Sequence, residues 1–277
     1  MLRSMMAAVS GMRAHQMMMD VVANDIANVN TVGYKASRTS FKDSLSQLQR
    51  SAAAPGPSSG GSSAVQVGLG VQLGSIDNVM QSGSIESTGN VLDVAIQGDG
   101  WFRVAQGAPP ALPTGVEYTR AGNFTLNQNG YMTTQDGYYV MGLDAVGSGG
   151  NPVYLQIPPG STDVAIGQDG SVSYVPAGGG ARTVAGYISL AKFANEAALE
   201  RTSGNRWQAS ANSGTEQLGT PADNGYGAAS SGTVEMSNVD LAQEFTNMIT
   251  AQRGFEANSK LIAASDELLQ NLVNLVR

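Results

Sequence analysis

The chain has 277 residues, enough for one large or two modest domains with a buried core. Charged residues are only 13% of it, about half the usual share, the net charge is −7, and no basic run exists, so nucleic acid and anionic membrane are poor partner classes. The absence of cysteine removes disulfides, thiolate catalysis and Cys-ligated zinc, and no window approaches the ~20 apolar residues of a membrane span.

The first stretch, MLRSMMAAVSGMRAHQMMMD, is broken by Arg13, His15 and Gln16 and is followed by no small-residue cleavage site, so it reads as mature structure rather than a signal peptide. Leu2, Met5, Val9, Met12, Gln16, Met19, Ala23 and Ile26 occupy alternating steps of three and four, with Gln16 off pattern, which predicts a helix ending near Val29–Asn30 with Gly33 as a stop just beyond. Seven of the twelve methionines lie in the first nineteen residues. Met17, Met18 and Met19 are consecutive, and at ~100° per residue they span about 200° of the helix, more than one two-stranded seam covers. Exposing several methionines sacrifices ~0.8 kcal/mol per methylene, so the helix is expected to pack against several neighbouring copies, the alternative being a helix wholly buried in the core of one chain. Asn24 and Asn28 lie four apart on its flank. Their amides suit hydrogen bonds that fix register against another chain, or equally a frayed helix end.

SAAAPGPSSGGSS, from Ser51 to Ser63, reads as a linker or extended arm. Beyond it, short alternating runs are punctuated by Asp99-Gly100, Asn129-Gly130, Asp136-Gly137 and Asp169-Gly170, four hairpin-type signals that predict an antiparallel β domain over 68–236. One short helix is expected around Ala194–Leu199. The chain then turns helical again. Leu241, Phe245, Met248, Gln252, Phe255, Ser259, Ile262, Asp266, Leu269, Val273 and Val276 keep a heptad spacing, and Ser237 with Asp240 resembles a capping box. The expected fold class is therefore α+β: a coiled-coil domain from 1–36 plus 237–277, a linker or arm over 37–67, and the β-rich domain over 68–236.

Catalytic chemistry is sparse. His15 is the single histidine and cannot build a zinc site alone. GLGVQLG, from Gly68 to Gly74, lacks the dinucleotide spacing and precedes no helix pattern. Asp93, Asp99, Asp136 and Asp169 offer carboxylates in principle, but three of them precede glycine in turns where aspartate is expected. No nucleophile–base pair emerges, and neither an enzymatic role nor a cofactor or metal is expected.

ANDIANVNTVGYKASRTSF, from Ala23 to Phe41, resembles the N-terminal signature of the bacterial flagellar rod and hook proteins. SNVDLAQEFTNMITAQRGFEANSKLIAASDELLQNLVNLVR, from Ser237 to Arg277, is similar to their C-terminal helix. LDVAIQGDGWFRV and YTRAGNFTLNQNGYMTTQDGYYVMG resemble their β-domain motifs. The resemblance implies terminal helices forming an inner coiled-coil tube, a β domain forming the layer around it, export through the flagellar type III apparatus without cleavage, and helical self-assembly. On this chain the inner helices would be Leu2–Asn30 and Val239–Arg277, and 32–41, with Gly33, Tyr34 and Lys35, would link them to the outer layer. The assembly residues implied are Leu2, Met5, Val9, Met12, Met19, Asn24, Ile26 and Asn28, with Leu241, Phe245, Met248, Phe255, Ile262, Leu269 and Val273. The partners implied are further copies, adjoining rod, hook-cap and hook–filament junction proteins, and the export apparatus, on the extracellular flagellum. NTVGYKASRTSF and SDELLQNLVNLVR look more like the hook branch, and the length suits a short hook protein acting as a universal joint. The 51–63 segment sits where distal rod proteins carry one associated with a straight shaft. A surface adhesin with a coiled-coil stalk is the reading of another class.

Overall fold

No proline and one glycine interrupt the chain from Leu2 to Ala27, and it forms a single helix, α1 (Leu2–Ala27). A second helix, α2 (Leu241–Leu275), closes the chain. The computed structural model describes residues 2–56, 60–107, 109, 115–147, 149–223 and 225–275. It divides into a helical unit (1–27, 37–78 and 240–277) and a β body (28–36 and 79–239). Val276 and the side chain of Leu2, both expected on the apolar stripes, lie outside the described residues. Neither helix is long and apolar enough to cross a membrane.

In the helical unit α1 and α2 run antiparallel. A methyl added at Gly11 would fall 2.7 Å from Asn258 Nδ2, and one at Gly254 would fall 2.4 Å from the His15 ring, so a step forward along α1 is a step backward along α2. The buried line of α1 includes Ala8, Gly11, Val22 and Asp25, and α2 contributes fully buried Ala251. This line runs one residue before the expected Val9, Met12, Ala23 and Ile26. Close approach selects the smallest side chains, whereas an apolar stripe read from sequence selects the largest. Met5, Val9, Met12, Met19 and Ile26 are left half-buried on the flank.

α2 starts where Asp240 Oδ1 accepts the amides of Ala242 (2.9 Å) and Gln243 (3.2 Å), so Asp240 is itself the cap. The expected Ser237 cap is replaced: its hydroxyl accepts from Val239 N, before the helix begins. α1 likewise ends at Ala27, short of the expected Val29–Asn30.

Where an arm was expected over 37–67, Ser37–Asp43 pairs antiparallel with Val71–Asn78, and Ser46–Arg50 pairs with Val65–Gly68. The first ribbon lies on α1. Ser10 Oγ accepts from Val71 N (3.2 Å), and buried Asp25 accepts from Ser37 N (3.0 Å).

The β body is a mixed-length sheet whose main path runs Thr162–Ile166, Ser171–Val175, Thr183–Ile188, Tyr139–Leu143, Trp101–Ala105, Val116–Thr119, Arg206–Gln208, Glu200–Arg201, paired antiparallel. Trp101–Ala105 is its centre, buried along both faces. Alternation sends Phe102 and Val104 into a core with Ile96, Phe124, Val140 and Ile188, and Trp101 into a second core with Tyr118, Phe193 and Trp207. Asn129-Gly130, Asp136-Gly137 and Asp169-Gly170 each join paired strands as expected. Asp99-Gly100 does not: Val94–Gln97 pairs with Ala228–Ser231, while Trp101–Ala105 takes other neighbours. The helix expected around Ala194–Leu199 is a single 3-10 turn, Glu196–Ala198.

Candidate functional site

The residues singled out in the N-terminal linker, Gly33, Tyr34 and Lys35, are all buried in the β body. Gly33 has φ +68° and donates its N–H to Glu235 O at 2.7 Å. A β-carbon there would lie 2.4 Å from Ala121 N, so both the left-handed backbone and the close approach require glycine. Gly33→Ala is expected to cost at least ~1–2 kcal/mol for the backbone conformation alone, with the clash against Ala121 added. Denaturant unfolding of the β body measures it, and an unchanged midpoint would show that the segment relaxes away without cost.

Lys35 reaches inward. Its Nζ donates to Glu235 Oε1 (2.7 Å) and to Gln81 O (2.9 Å), and both side chains of the pair are 1% exposed. Glu235 also accepts from Gly83 N (2.9 Å) and, on its other oxygen, from Arg120 Nη1 (3.3 Å). One buried carboxylate thus holds two buried cations. Burial depresses the pKa of Lys35 below its ordinary 10.5, Glu235 opposes that, and the Arg120 charge adds to the depression.

Above this pair sits a stack of cations and rings. Arg201 lies over Tyr34 (4.8 Å to the centroid) and over Trp207 (4.9 Å), and donates to Lys35 O and Tyr34 Oη. Trp207 meets Trp101 edge-on at 5.6 Å, and Arg120 covers Trp101 at 5.3 Å. The linker residues therefore close a circuit of ionic and aromatic contacts through the β body. Sequence reading missed Arg120, Arg201, Glu235 and Asn238. A lysine between Tyr34 and Ala36 in a low-charge chain hints at a buried cation, but its partner is two hundred positions away.

The expected assembly residues separate by exposure. On α2, Leu241 (41%), Phe245 (51%) and Val273 (62%) are open, as are Ile249, Leu261 and Leu268, while Met248, Phe255, Ile262 and Leu269 are half-buried. On α1, Asn24 is exposed. Asn28 lies past the helix end, where its Oδ1 accepts the hydroxyl of Thr31 at 3.1 Å and shapes a turn. Met6, at 70%, is the most open methionine of α1 among the described residues. His15 packs beside Gly254 and Phe41, as a structural residue would.

A polar cleft of about 540 Å³ lies in the β body among Asn28, Thr31, Asn123, Gln135, Asp136 and Arg206. Its Arg206 is neutralised by Glu117 and Asp136, and it lacks a nucleophile–base arrangement among the described residues.

Three family models match the chain: one described as "Flagella basal body rod protein" over residues 5–35, one as "Flagellar hook protein FlgE/F/G D1 domain" over 95–174, and one as "Flagellar basal body rod FlgEFG protein C-terminal" over 230–275. The chain is similar over its whole length, at 46% identity across 278 residues, to the flagellar basal-body rod protein FlgG of Bacillus subtilis, with all of both chains covered. It is 38% identical to FlgG of Caulobacter vibrioides, with 97% of each chain covered. The flagellar hook protein FlgE of Borreliella burgdorferi is 26% identical across 446 aligned positions, covering 99% of this chain and 100% of that one.

Proposed function

From the premise that this chain belongs to the flagellar basal-body rod and hook protein family, we propose that it is a distal-rod subunit that self-assembles into a straight drive shaft. That it is a structural protein of the flagellum and not an enzyme follows from the family. The finer choice is carried by one observation: the rod relatives match it end to end at nearly equal length, whereas the hook relative needs a far longer alignment at lower identity. The hook-like look of NTVGYKASRTSF and SDELLQNLVNLVR is outweighed by that full-length agreement. The 51–63 segment, where distal rods carry a straightening element, points the same way.

In this reading α1 and α2 form the inner layer as a coiled coil shared among copies, and the β body forms the layer around it. Leu241, Phe245, Ile249, Leu261, Leu268 and Val273 are the side chains left to be covered by other copies, together with the methionine flank of α1. The partners are further copies and the adjoining rod and hook proteins, reached through the type III export apparatus with the N-terminus uncleaved.

Electron microscopy of the native assembly tests the choice. Straight, rigid cylinders are expected; curved, supercoiling tubes would restore the hook reading, and isolated particles at high concentration would favour a stalked adhesin.

A further inference from the structure

The chain passes between its two units at four points, after Ala27, Ala36, Asn78 and Val239. At two of them, after Ala36 and after Asn78, the segment on the β-body side is bonded to one side chain, Asn238, which itself stands beside a third, after Val239. Its Oδ1 accepts from Ala36 N (2.7 Å), and its Nδ2 donates to Val79 O (2.8 Å) and to Gln81 O (2.9 Å). Val79 N closes the set by donating to Ala36 O at 2.8 Å. The carbonyl of Gln81 is shared with Lys35 Nζ, so the amide of Asn238 and the amine of Lys35 converge on one acceptor. The packing is close enough that a β-carbon on Gly83 would fall 2.0 Å from Met236 O.

Only a carboxamide meets this demand. One oxygen must accept while one nitrogen donates twice, in a fixed fork. Aspartate would turn the nitrogen into an oxygen facing two carbonyls, and alanine or leucine would leave Ala36 N without an acceptor.

We propose that Asn238 is the positioning residue that staples segments 33–36, 79–83 and 235–239 into one bundle, so that three of the four chain passages move together. The staple itself does not depend on the flagellar reading. Its mechanical consequence, torque reaching the β body through a tied bundle instead of separate tethers, rests on that reading.

Hydrogen exchange of the free, full-length chain tests the staple without requiring assembly. In Asn238→Ala the amides of Ala36 and Val79 are expected to exchange roughly tenfold faster, about the effect of one lost hydrogen bond. The strand Arg206–Gln208 serves as the unaffected internal reference. Asn238→Leu, of similar size, should behave as the alanine variant does. Asn238→Asp should exchange faster still at neutral pH and regain protection, relative to the alanine variant at the same pH, once acidification restores an O–H donor to its side chain. Equal protection in wild type, alanine and leucine variants would overturn the staple, as would an aspartate variant that tracks alanine at every pH. If the aspartate variant does not fold at neutral pH, the alanine and leucine comparison decides alone. Tubes of Asn238→Ala with wild-type bending stiffness would overturn the mechanical consequence while leaving the exchange result standing.

Discussion

A chain shortened to residues 28–239 is expected to keep the cooperative unfolding of its β body and to lose polymerisation altogether. The two cores of that body, around Phe102 and around Trp101, draw on residues between Met80 and Ala229 and take nothing from either terminal helix. Removing the helices deletes the open side chains of α2 and the methionine flank of α1. Sedimentation and electron microscopy at high concentration measure the loss. Tubes formed by the shortened chain would show that the assembly contacts lie elsewhere. The ribbon of Ser37–Asp43 and Val71–Asn78 should also become protease-sensitive, because it loses the Asp25 carboxylate and Ser10 hydroxyl that bind its backbone, and an isolated two-stranded ribbon is barely stable in water.

The terminal helices were legible because nothing in them competes with a 3.6-residue period: no proline and one glycine each. Their line of contact was legible only to within one residue. Leu, Met and Phe dominate any reading by hydrophobicity, yet an antiparallel pair that approaches closely is set by Ala8, Gly11, Ala251 and Gly254. Three of the four turn dipeptides marked hairpins because local geometry decides those. Asp99-Gly100 misled because Trp101–Ala105 is the central strand of the sheet and finds its partners far along the chain. The same cause hid most of the linker site. Gly33, Tyr34 and Lys35 stand out in one short stretch through their resemblance to a known signature. Arg120, Arg201, Glu235 and Asn238 become neighbours only after folding; Arg120 and Asn238 fall inside stretches that resemble family motifs, but nothing in those stretches pairs them with Lys35 or with each other.

Glu235→Gln is expected to destabilise the β body by about 3–5 kcal/mol, the range for breaking a buried ion pair from one side, which for a domain of this size lowers Tm by roughly 10 °C. Glu235 is the one carboxylate that Lys35 and Arg120 both bond, so a neutral amide leaves two buried cations to repel each other. Lys35→Met should cost less. It leaves Glu235 with Arg120 and the Gly83 amide, and it removes an amine whose own burial is unfavourable. The pair also makes a pH prediction of definite sign. Because folding depresses the pKa of Lys35 below 10.5, the folded chain releases that proton before the unfolded chain does. The contribution is fully present above about 10.5 and is lost as pH falls through the lower folded value, so the stability of wild type relative to Lys35→Met should rise as pH climbs toward 10.5. The comparison is needed because Tyr118, whose pKa burial and then Glu216 push upward, destabilises both proteins in alkali. Denaturant unfolding of wild type and the two variants across alkaline pH measures both effects. A Lys35→Met loss equal to that of Glu235→Gln, or a difference between wild type and Lys35→Met that shrinks as pH rises, would mean that the ion pair with Glu235 outweighs the burial of the amine and holds it protonated.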